Sequence, residues 1–297
     1  MKHRLIILTL ALGAALACAR AAAPPFFAMD TGTSDAKHRT AAEQVALVKE
    51  LGFAGIGPTY TTPENLRGML NEVDKQQSKL FALYVKLDLD ADTPISPQIR
   101  DAIDQLRGRD AIIWLWVASK TYKPSDPAGD ARATELLREV AGLAEPAGVR
   151  IALYPHFATW VERVEDAVRV ARAVDRKNLG VTFNLCHWLM VDGTDLGARL
   201  KEALPRLFVV TINGAEIGGK NWGKLIQPLD SGNFDVADML AKLEALGWHG
   251  PVGLQHYGIP GDAKDNLQRS MDAWRTISRK VWPPANNDAD GTLQPDS

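Results

Sequence analysis

The stretch Val149-Arg-Ile-Ala-Leu-Tyr-Pro-His156 is an apolar run that ends in polar residues, and the fold can be worked out from it. An amphipathic segment follows from Trp160 to Val174. A second apolar run, Leu179-Gly-Val-Thr-Phe-Asn-Leu-Cys-His-Trp188, carries Asn184 and His187 near its end. This order predicts strand, helix, strand. Because the carboxyl ends of parallel strands face the ligand in α/β proteins, both histidines are predicted to lie at one active site.

The same alternation of strand and helix extends over nearly the whole chain. Apolar runs predict eight strands, over 26–30, 53–56, 80–88, 111–117, 149–156, 179–188, 207–213 and 251–255. Helical periodicity predicts eight helices, over 40–51, 63–74, 97–106, 131–144, 160–174, 195–204, 235–246 and 265–277. The pattern predicts an α/β fold with a single (β/α)8 TIM barrel, and an open doubly wound sheet is the alternative. The open nucleotide-binding sheet is disfavoured, because neither Gly-x-Gly-x-x-Gly after the first strand nor a P-loop is found.

The N-terminal residues have the pattern of a secretory signal peptide. Lys2, His3 and Arg4 precede the apolar segment 5–16, and small residues follow. We therefore predict a signal peptide over 1–23, a barrel over 24–282 and a disordered polar tail over 283–297. The mature protein is expected to be exported, to the periplasm or the medium. A lipid anchor at Cys18 is the alternative, but the preceding Ala-Leu-Ala is a poor match to a lipidation motif.

Composition and charge exclude several classes of partner. The formal net charge of −2 provides no basic surface for nucleic acid. The apolar N-terminal run is too short to be a stable membrane span. After signal cleavage Cys186 is the only cysteine, so no intrachain disulfide is expected, and Cys186 is predicted to be a buried residue within a strand.

Polar and aromatic side chains collect at the predicted carboxyl ends of the strands. Aromatic planes combined with amides suit a neutral polyhydroxylated ligand, so a carbohydrate is the predicted small-molecule partner. The candidate substrate-binding residues are Asp30, Lys120, Tyr154, Asn184, Asn213, Trp222, Gln255 and Tyr257. Trp114 and Trp116 are instead predicted to pack between the sheet and the helices, since their whole strand is apolar.

The segment from Gly214 to Phe234 is much longer than a usual connection between a strand and the next helix. It contains Glu216, Trp222 and several glycines. Long connections of this kind often cover the active-site mouth of a barrel, so a lid or substrate wall is predicted. A merely solvated insertion is the alternative.

The chain resembles the xylose isomerase-like TIM barrel superfamily, often described as sugar phosphate isomerases and epimerases. The resemblance covers nearly all of the region 26–277. It rests on the fifth-strand motif ending in His156, on the helix beginning Trp160-Val-Glu, on the run from Asn178 to His187, and on Gly253-Leu-Gln-His-Tyr-Gly-Ile259. It implies a barrel that acts on sugars, and it does not specify one reaction.

The resemblance also implies a metal site from which this sequence departs. Metal-dependent members commonly place Glu, Asp, His and Glu at the ends of strands five to eight. This sequence has Tyr154, Asn184, Thr211 and Gln255 there, and neutral groups hold a divalent cation poorly. A bound Mn²⁺, Zn²⁺ or Mg²⁺ stays open as an alternative, with His156 and His187 as ligands and either Glu216 or Asp30 completing the shell.

The remaining chemistry is proton transfer beside a carbonyl group. His156 and His187 are the candidate acid and base, since the ordinary histidine pKa of about 6.5 suits that role. Lys86 or Lys120 could stabilise the enolate oxygen. The candidate catalytic residues are therefore His156, His187, Lys86 and Glu216.

Three functions follow from these residues. The first is an exported isomerase, epimerase or keto-glycoside lyase or hydratase, and the second is a carbohydrate-binding barrel that has lost catalysis. The neutral groups Tyr154, Asn184 and Gln255 favour the second. A glycoside hydrolase ranks last, because its two carboxyl groups would have to come from Asp30, Asp88 and Glu216 on distant strands. The sugar and the oligomeric state are left open.

Overall fold

The chain forms a ring of parallel strands surrounded by helices. The computed structural model describes residues 22–91, 93 and 95–284. The eight strands are β1 (Phe26–Met29), β2 (Ile56–Gly57), β3 (Ala82–Asp88), β4 (Ile112–Ala118), β5 (Arg150–Leu153), β6 (Leu179–Asn184), β7 (Leu207–Ile212) and β8 (Val252–Leu254). All their pairings are parallel. The predicted (β/α)8 TIM barrel is confirmed.

The ring closes between β2 and β3 through single bridges instead of a full ladder. The strand order β2-β1-β8-β7-β6-β5-β4-β3 leaves these two strands at the ends of the sheet. Parallel bridges between Ile56 and Leu80 and between Thr59 and Tyr84 join them. The second bridge places Thr59 beside Tyr84 at the carboxyl end of the barrel.

Ten α-helices accompany the strands in the described part of the chain. They are α1 (Ala41–Leu51), α2 (Pro63–Lys75), α3 (Pro97–Gln105), α4 (Asp130–Ala144), α5 (Val164–Val174), α6 (Leu185–Val191), α7 (Leu196–Ala203), α8 (Trp222–Leu225), α9 (Val236–Ala245) and α10 (Ala263–Val281). The predicted capping box is confirmed, because Thr40 and Glu43 bond each other's backbone N–H groups at the start of α1. Helices α6 and α8 were not predicted.

The predicted start of the fifth helix at Trp160 is wrong, since α5 begins at Val164. The buried Asp166 carboxylate accepts the N–H groups of Glu162 and Arg163, and these bonds end the loop and begin the helix. Trp160 belongs to the loop, where its indole N–H donates to the carbonyl of Asp126. The segment 156–163 is therefore part of the loop that joins β5 to α5.

The predicted sixth strand is also too long. β6 ends at Asn184, and the chain turns at once into α6, which carries Cys186 and His187. The prediction that Cys186 lies in a strand is therefore wrong. Its predicted burial is confirmed, and burial raises the pKa of its thiol to about 12.

Aromatic side chains fill the barrel interior. The cluster includes Phe27, Phe81, Trp114 and Tyr154. Phe27 stacks on Phe81 with ring centroids 5.0 Å apart. A methyl group on Gly253 would come within 2.8 Å of the Phe27 ring, so the glycine makes room for the phenylalanine. The prediction that Trp114 packs between sheet and helices is wrong, because its side chain lies inside the ring.

The described residues end short of both termini. The predicted signal peptide lies almost wholly in 1–21, and most of the predicted tail lies in 285–297, which are outside the described residues. Both stay predictions, as does export. Within 22–284, apart from residues 92 and 94, no helix combines the length and apolar character needed to cross a bilayer.

Candidate active site

A cavity of about 450 Å³ opens at the carboxyl end of the barrel. The structure brings His156 and His187 together on its wall, with ring centroids 4.1 Å apart. The lining residues are Met29, Thr31, Thr59, Tyr84, Trp116, Tyr154, His156, His187, Trp222, Ile226, Gln255 and Tyr257. Histidines that follow neighbouring strands can therefore act on one ligand.

The backbone of Phe157 determines which nitrogen of each imidazole carries a proton. Its carbonyl lies 2.8 Å from Nδ1 of His156, and because a carbonyl only accepts, that nitrogen is the donor. Its N–H donates to Nδ1 of His187 at 3.3 Å, so that nitrogen is unprotonated. His156 is thus left with Nε2 as a basic atom when neutral, whereas His187 carries its proton on Nε2. One ring is suited to accept a proton and the other to donate a hydrogen bond.

Burial favours the neutral form of both rings. It lowers the pKa of His156, and the hydrogen bond to the Phe157 carbonyl opposes it. His187 is 5% exposed, and burial, followed by the charge of a protonated His156, holds the pKa of His187 well below its ordinary value. Both histidines are therefore uncharged at neutral pH.

Aromatic rings form much of the cavity wall. Trp116 lines the cavity, so the prediction that it packs between sheet and helices is wrong. Trp222, from α8, meets His187 edge to face with ring centroids 5.3 Å apart. With Ile226 it brings the long connection between β7 and α9 to the cavity, so part of this segment forms the cavity wall.

Neutral hydrogen-bonding groups lie at the inward ends of β5 to β8. Asn184 accepts the hydroxyl of Thr211 at 3.1 Å and donates to the carbonyl of Pro155 at 2.8 Å. The Tyr154 hydroxyl lies near Gln255 and Thr211, which lower its pKa, but burial outweighs them and raises the pKa of Tyr154 well above its ordinary value. These groups are uncharged, and those of Asn184 and Thr211 are hydrogen-bonded to each other.

Gln255 has a defined amide orientation in the cavity wall. Its Oε1 accepts the hydroxyl of Thr31 at 2.8 Å and the N–H of Tyr257 at 2.9 Å. Because a backbone N–H can only donate, the oxygen must be on this side, and Nε2 points the other way. Tyr257 is 60% exposed at the mouth.

Several predicted residues do not line the cavity. Lys86 pairs with Asp88 at 2.8 Å and lies 5.6 Å from the ring centroid of Trp116. Glu216 pairs with Lys224 at 2.7 Å, which lowers the pKa of its carboxyl. The backbone N–H of Lys120 binds Asp90.

Three further predicted residues form hydrogen bonds within the protein and do not line the cavity: Asn184, Asn213 and Asp30. Asn213 donates to the carbonyls of Gly214 and Leu225 at 2.8 and 2.6 Å. Asp30 accepts the N–H and the hydroxyl of Thr59 at 2.6 and 3.0 Å. Burial nevertheless raises the pKa of Asp30. These side chains hold the loops at the carboxyl end of the barrel, and Thr59 itself lines the cavity.

Comparison with known proteins agrees with the barrel fold. A family model described as the xylose isomerase-like TIM barrel matches residues 45–277. This chain belongs to the xylose isomerase-like TIM barrel family. The resemblance predicted from the strand motifs is confirmed.

Curated relatives of this xylose isomerase-like chain match over part of their length. A putative hydroxypyruvate isomerase from Homo sapiens is 26% identical over 136 residues, and one from Mus musculus is 27% identical over 135. These matches cover 46% of this chain and 45% and 44% of the relatives, so the chain spans less than half of their length.

Solved structures share the fold at low sequence identity. A 3-keto-D-glucoside 4-epimerase from E. coli has a TM-score of 0.68 at 15% identity, over 86% of this chain and 98% of the epimerase. A D-allulose 3-epimerase from Methylomonas sp., solved with D-allulose, has a TM-score of 0.69 at 15% identity, over 87% of this chain and 98% of the epimerase. The IolI protein, solved with a zinc atom, has a TM-score of 0.71 at 18% identity, over 88% of this chain and 100% of the IolI chain. These likenesses concern the fold.

The donor set of this family member does not fit a divalent cation. Asn184 Oδ1 takes the hydroxyls of Thr182 and Thr211, and Gln255 Oε1 takes two donors as well. The predicted ligand Glu216 pairs with Lys224. Among the described residues no three His, Cys, Asp or Glu side chains lie close enough to hold a metal ion.

Several cavity residues were not predicted from the sequence. Tyr84 could have been found, because it has the same parity on β3 as Lys86 and the two side chains lie on one face. Met29 and Thr31 likewise continue the inward face begun by Phe27. Thr59 had no signal of its own, since its position depends on the bridge to Tyr84.

Proposed function

We propose that the chain is an enzyme that moves a carbon-bound proton in a neutral sugar or keto-sugar. The reaction is an isomerisation, an epimerisation, or an elimination or hydration of a keto-glycoside. The observation that carries this proposal is the complementary pair of imidazoles on one cavity wall, with a basic Nε2 on His156 and an Nε2–H on His187. Family membership supports sugar isomerase and epimerase chemistry as the class.

In the proposed reaction His156 is the base. Its Nε2 takes a proton from the carbon beside the substrate carbonyl, the C–H bond breaks, and its electron pair moves into the enolate. The Nε2–H of His187 donates to the oxygen on which negative charge develops. Return of the proton to the neighbouring carbon, with the hydroxyl proton of the enediol passing to the other oxygen, gives isomerisation. A proton delivered from solvent to the opposite face, after which His156 loses its own proton to solvent, gives epimerisation. Loss of a neighbouring leaving group, which takes up the proton held by His156, gives elimination.

The cavity supports a neutral substrate. None of the described residues that line it is an Asp, Glu, Lys or Arg, and both histidines are uncharged at neutral pH. A buried carboxylate or phosphate would therefore lack a counter-charge, which is costly. The hydroxypyruvate in the name of the curated relatives is a carboxylate, so we expect this chain to prefer uncharged keto-sugars to it.

Proton exchange with solvent tests the proposal. The purified protein is incubated in deuterated buffer with a panel of neutral ketoses, aldoses and keto-glycosides, and deuterium at carbon is followed by mass spectrometry. His156→Ala and His187→Ala should each abolish exchange. His249→Ala, at a largely exposed histidine, is the matched control and should retain it. Exchange that persists in His187→Ala would contradict the assigned role.

A carbohydrate-binding barrel without catalysis is the second candidate. The neutral groups at the ends of β5 and β8 favour it, because Tyr154 and Gln255 line the cavity and could bond to sugar hydroxyls without taking part in a reaction. Calorimetric binding of sugars by a protein that exchanges no carbon-bound proton would establish this candidate and reject the enzyme.

A further inference from the structure

The loop after β5 connects a carboxylate to the proposed base through one peptide group. The carbonyl of Phe157 accepts from Nδ1 of His156 at 2.8 Å, and the N–H of Ala158 donates to Oε1 of Glu162 at 2.9 Å. These two groups belong to the same peptide unit. In a trans peptide the C=O and N–H point in opposite directions. The Glu162 carboxylate and the His156 imidazole therefore lie on opposite sides of this peptide group.

We propose that Glu162 is a positioning residue for His156 and acts through the Phe157–Ala158 peptide group. The inference rests on the proposed function, in which His156 is the base. By holding the Ala158 N–H, Glu162 keeps the Phe157 carbonyl directed at Nδ1 and polarises it. The proton then stays on Nδ1, and Nε2 stays free to accept one from the substrate.

The conformation of Ala158 supports this role. Its φ is +62°, in the left-handed region that an alanine rarely adopts. Such a conformation persists only where surrounding contacts enforce it. Thr159 fixes the other side of the turn, since its N–H and hydroxyl donate to the carbonyl of His156 at 3.1 and 2.8 Å. The Phe157–Ala158 peptide group, whose carbonyl faces His156, is bonded on its N–H side to the Glu162 side chain.

Glu162 is itself held in place from the protein interior. Its own N–H and that of Arg163 donate to Asp166, which is 2% exposed. Asp166 also accepts from Ser125 at 2.6 Å and from Arg169 at 2.7 Å. Glu162 makes no ion pair with a lysine, arginine or histidine among the described residues. Its carboxylate is therefore not explained by a salt bridge.

The tautomer of His156 provides a test that does not depend on activity. Nitrogen-15 NMR of the full chain at about pH 8 distinguishes an Nδ1–H from an Nε2–H imidazole. We expect the Nδ1–H form for His156 in the wild type and a mixture of both in Glu162→Ala. Glu162→Gln keeps an acceptor for the Ala158 N–H and should retain the wild-type form. Glu162→Asp withdraws the carboxylate by one methylene and should behave as the alanine variant does.

Proton exchange gives the second readout. Glu162→Ala should slow exchange about tenfold, the equivalent of about 1.4 kcal/mol or one hydrogen bond, with little change in KM. Glu165→Ala is the matched control, since that carboxylate lies three residues further along, in the first turn of α5, and pairs with Arg199 at 3.0 Å. It should leave both readouts unchanged.

The outcomes separate the two proposals. A wild-type His156 in the Nε2–H form, or a Glu162→Ala protein indistinguishable from Glu165→Ala in both readouts, would overturn the positioning role. A tautomer shift in Glu162→Ala, with no exchange in any variant including the wild type, would support the positioning role and overturn the proposed function.

Discussion

At the scale of single residues, the two histidines differ in what their neighbours allow. His187 accepts a backbone N–H on Nδ1, and protonation of that nitrogen would break the bond. His156 already donates from Nδ1, so a proton added at Nε2 breaks nothing. Burial lowers the pKa of both, and that of His187 more strongly. His156 is therefore the ring of the pair that gains a proton more readily.

The pH dependence of proton exchange follows from this difference. The base must be neutral to act, so the rate should rise with pH through the pKa of His156 and be level above it. Because burial lowers that pKa, the midpoint should lie below the ordinary value of about 6.5. The measurement is the exchange rate with substrate well below KM, which reports the ligand-free protein, from about pH 4 to pH 9. A midpoint at or above 6.5 would mean that another group is the base.

At the scale of secondary-structure elements, the site depends on where strands and helices stop. β6 ends at Asn184 and α6 begins at once, which places His187 above the barrel end. A register shift between Val181 and Thr182 precedes this turn. Bulges of this kind redirect the residues that follow them. The short helix α8 likewise delivers Trp222 to the cavity from a connection that would otherwise be irregular.

Truncation of Trp222, the side chain that α8 places at the cavity, tests its part in substrate binding. Trp222→Ala should raise KM up to about tenfold, because an aromatic contact contributes about 0.5–1.5 kcal/mol beyond its buried area. The free energy of unfolding should change little, as the side chain is only partly buried. Lys220→Ala, in the same connection but exposed and away from the cavity, is the control. An unchanged KM in Trp222→Ala would show that the ligand does not reach this wall.

At the scale of the whole molecule, the closed ring provides the rigid base on which the loops stand. The interior below the cavity is filled by side chains from opposite sides of the ring, with Phe27 between the glycines of β2 and β8. In a core packed this closely, removal of a side chain leaves the surrounding strands without contacts that they cannot easily replace. The cavity therefore begins above a solid core and does not continue through the barrel.

Truncation of the central phenylalanine measures this core. Phe27→Ala should lower the free energy of unfolding by about 3–5 kcal/mol, the usual cost of a large cavity at a buried phenylalanine. Phe157→Ala, at a side chain that is 38% exposed, should cost much less. Denaturant titration of both variants gives the comparison. Equal losses would mean that the interior collapses around the missing ring.

Much of the architecture could be predicted from local pattern. Apolar runs and caps such as Thr40 to Glu43 are set by neighbouring residues, so the number and order of strands and helices followed from the sequence. The strand-end positions of Tyr154 and Gln255 followed in the same way, whereas that of Thr211 came from the resemblance to the family. The boundaries at Trp160 and Trp188 were wrong because Asp166 and the turn after Asn184 decide them through tertiary contacts.

The sequence by itself therefore determined a barrel, its family and two histidines near one end. Only the tertiary structure decided that Lys86 and Glu216 are taken by ion pairs, that Thr59 and Trp116 reach the cavity, and that the imidazoles are neutral with opposite tautomers. The physical reason is that alternation and capping act between near neighbours along the chain. Burial and hydrogen-bond partners depend instead on which distant segments the closed ring brings together.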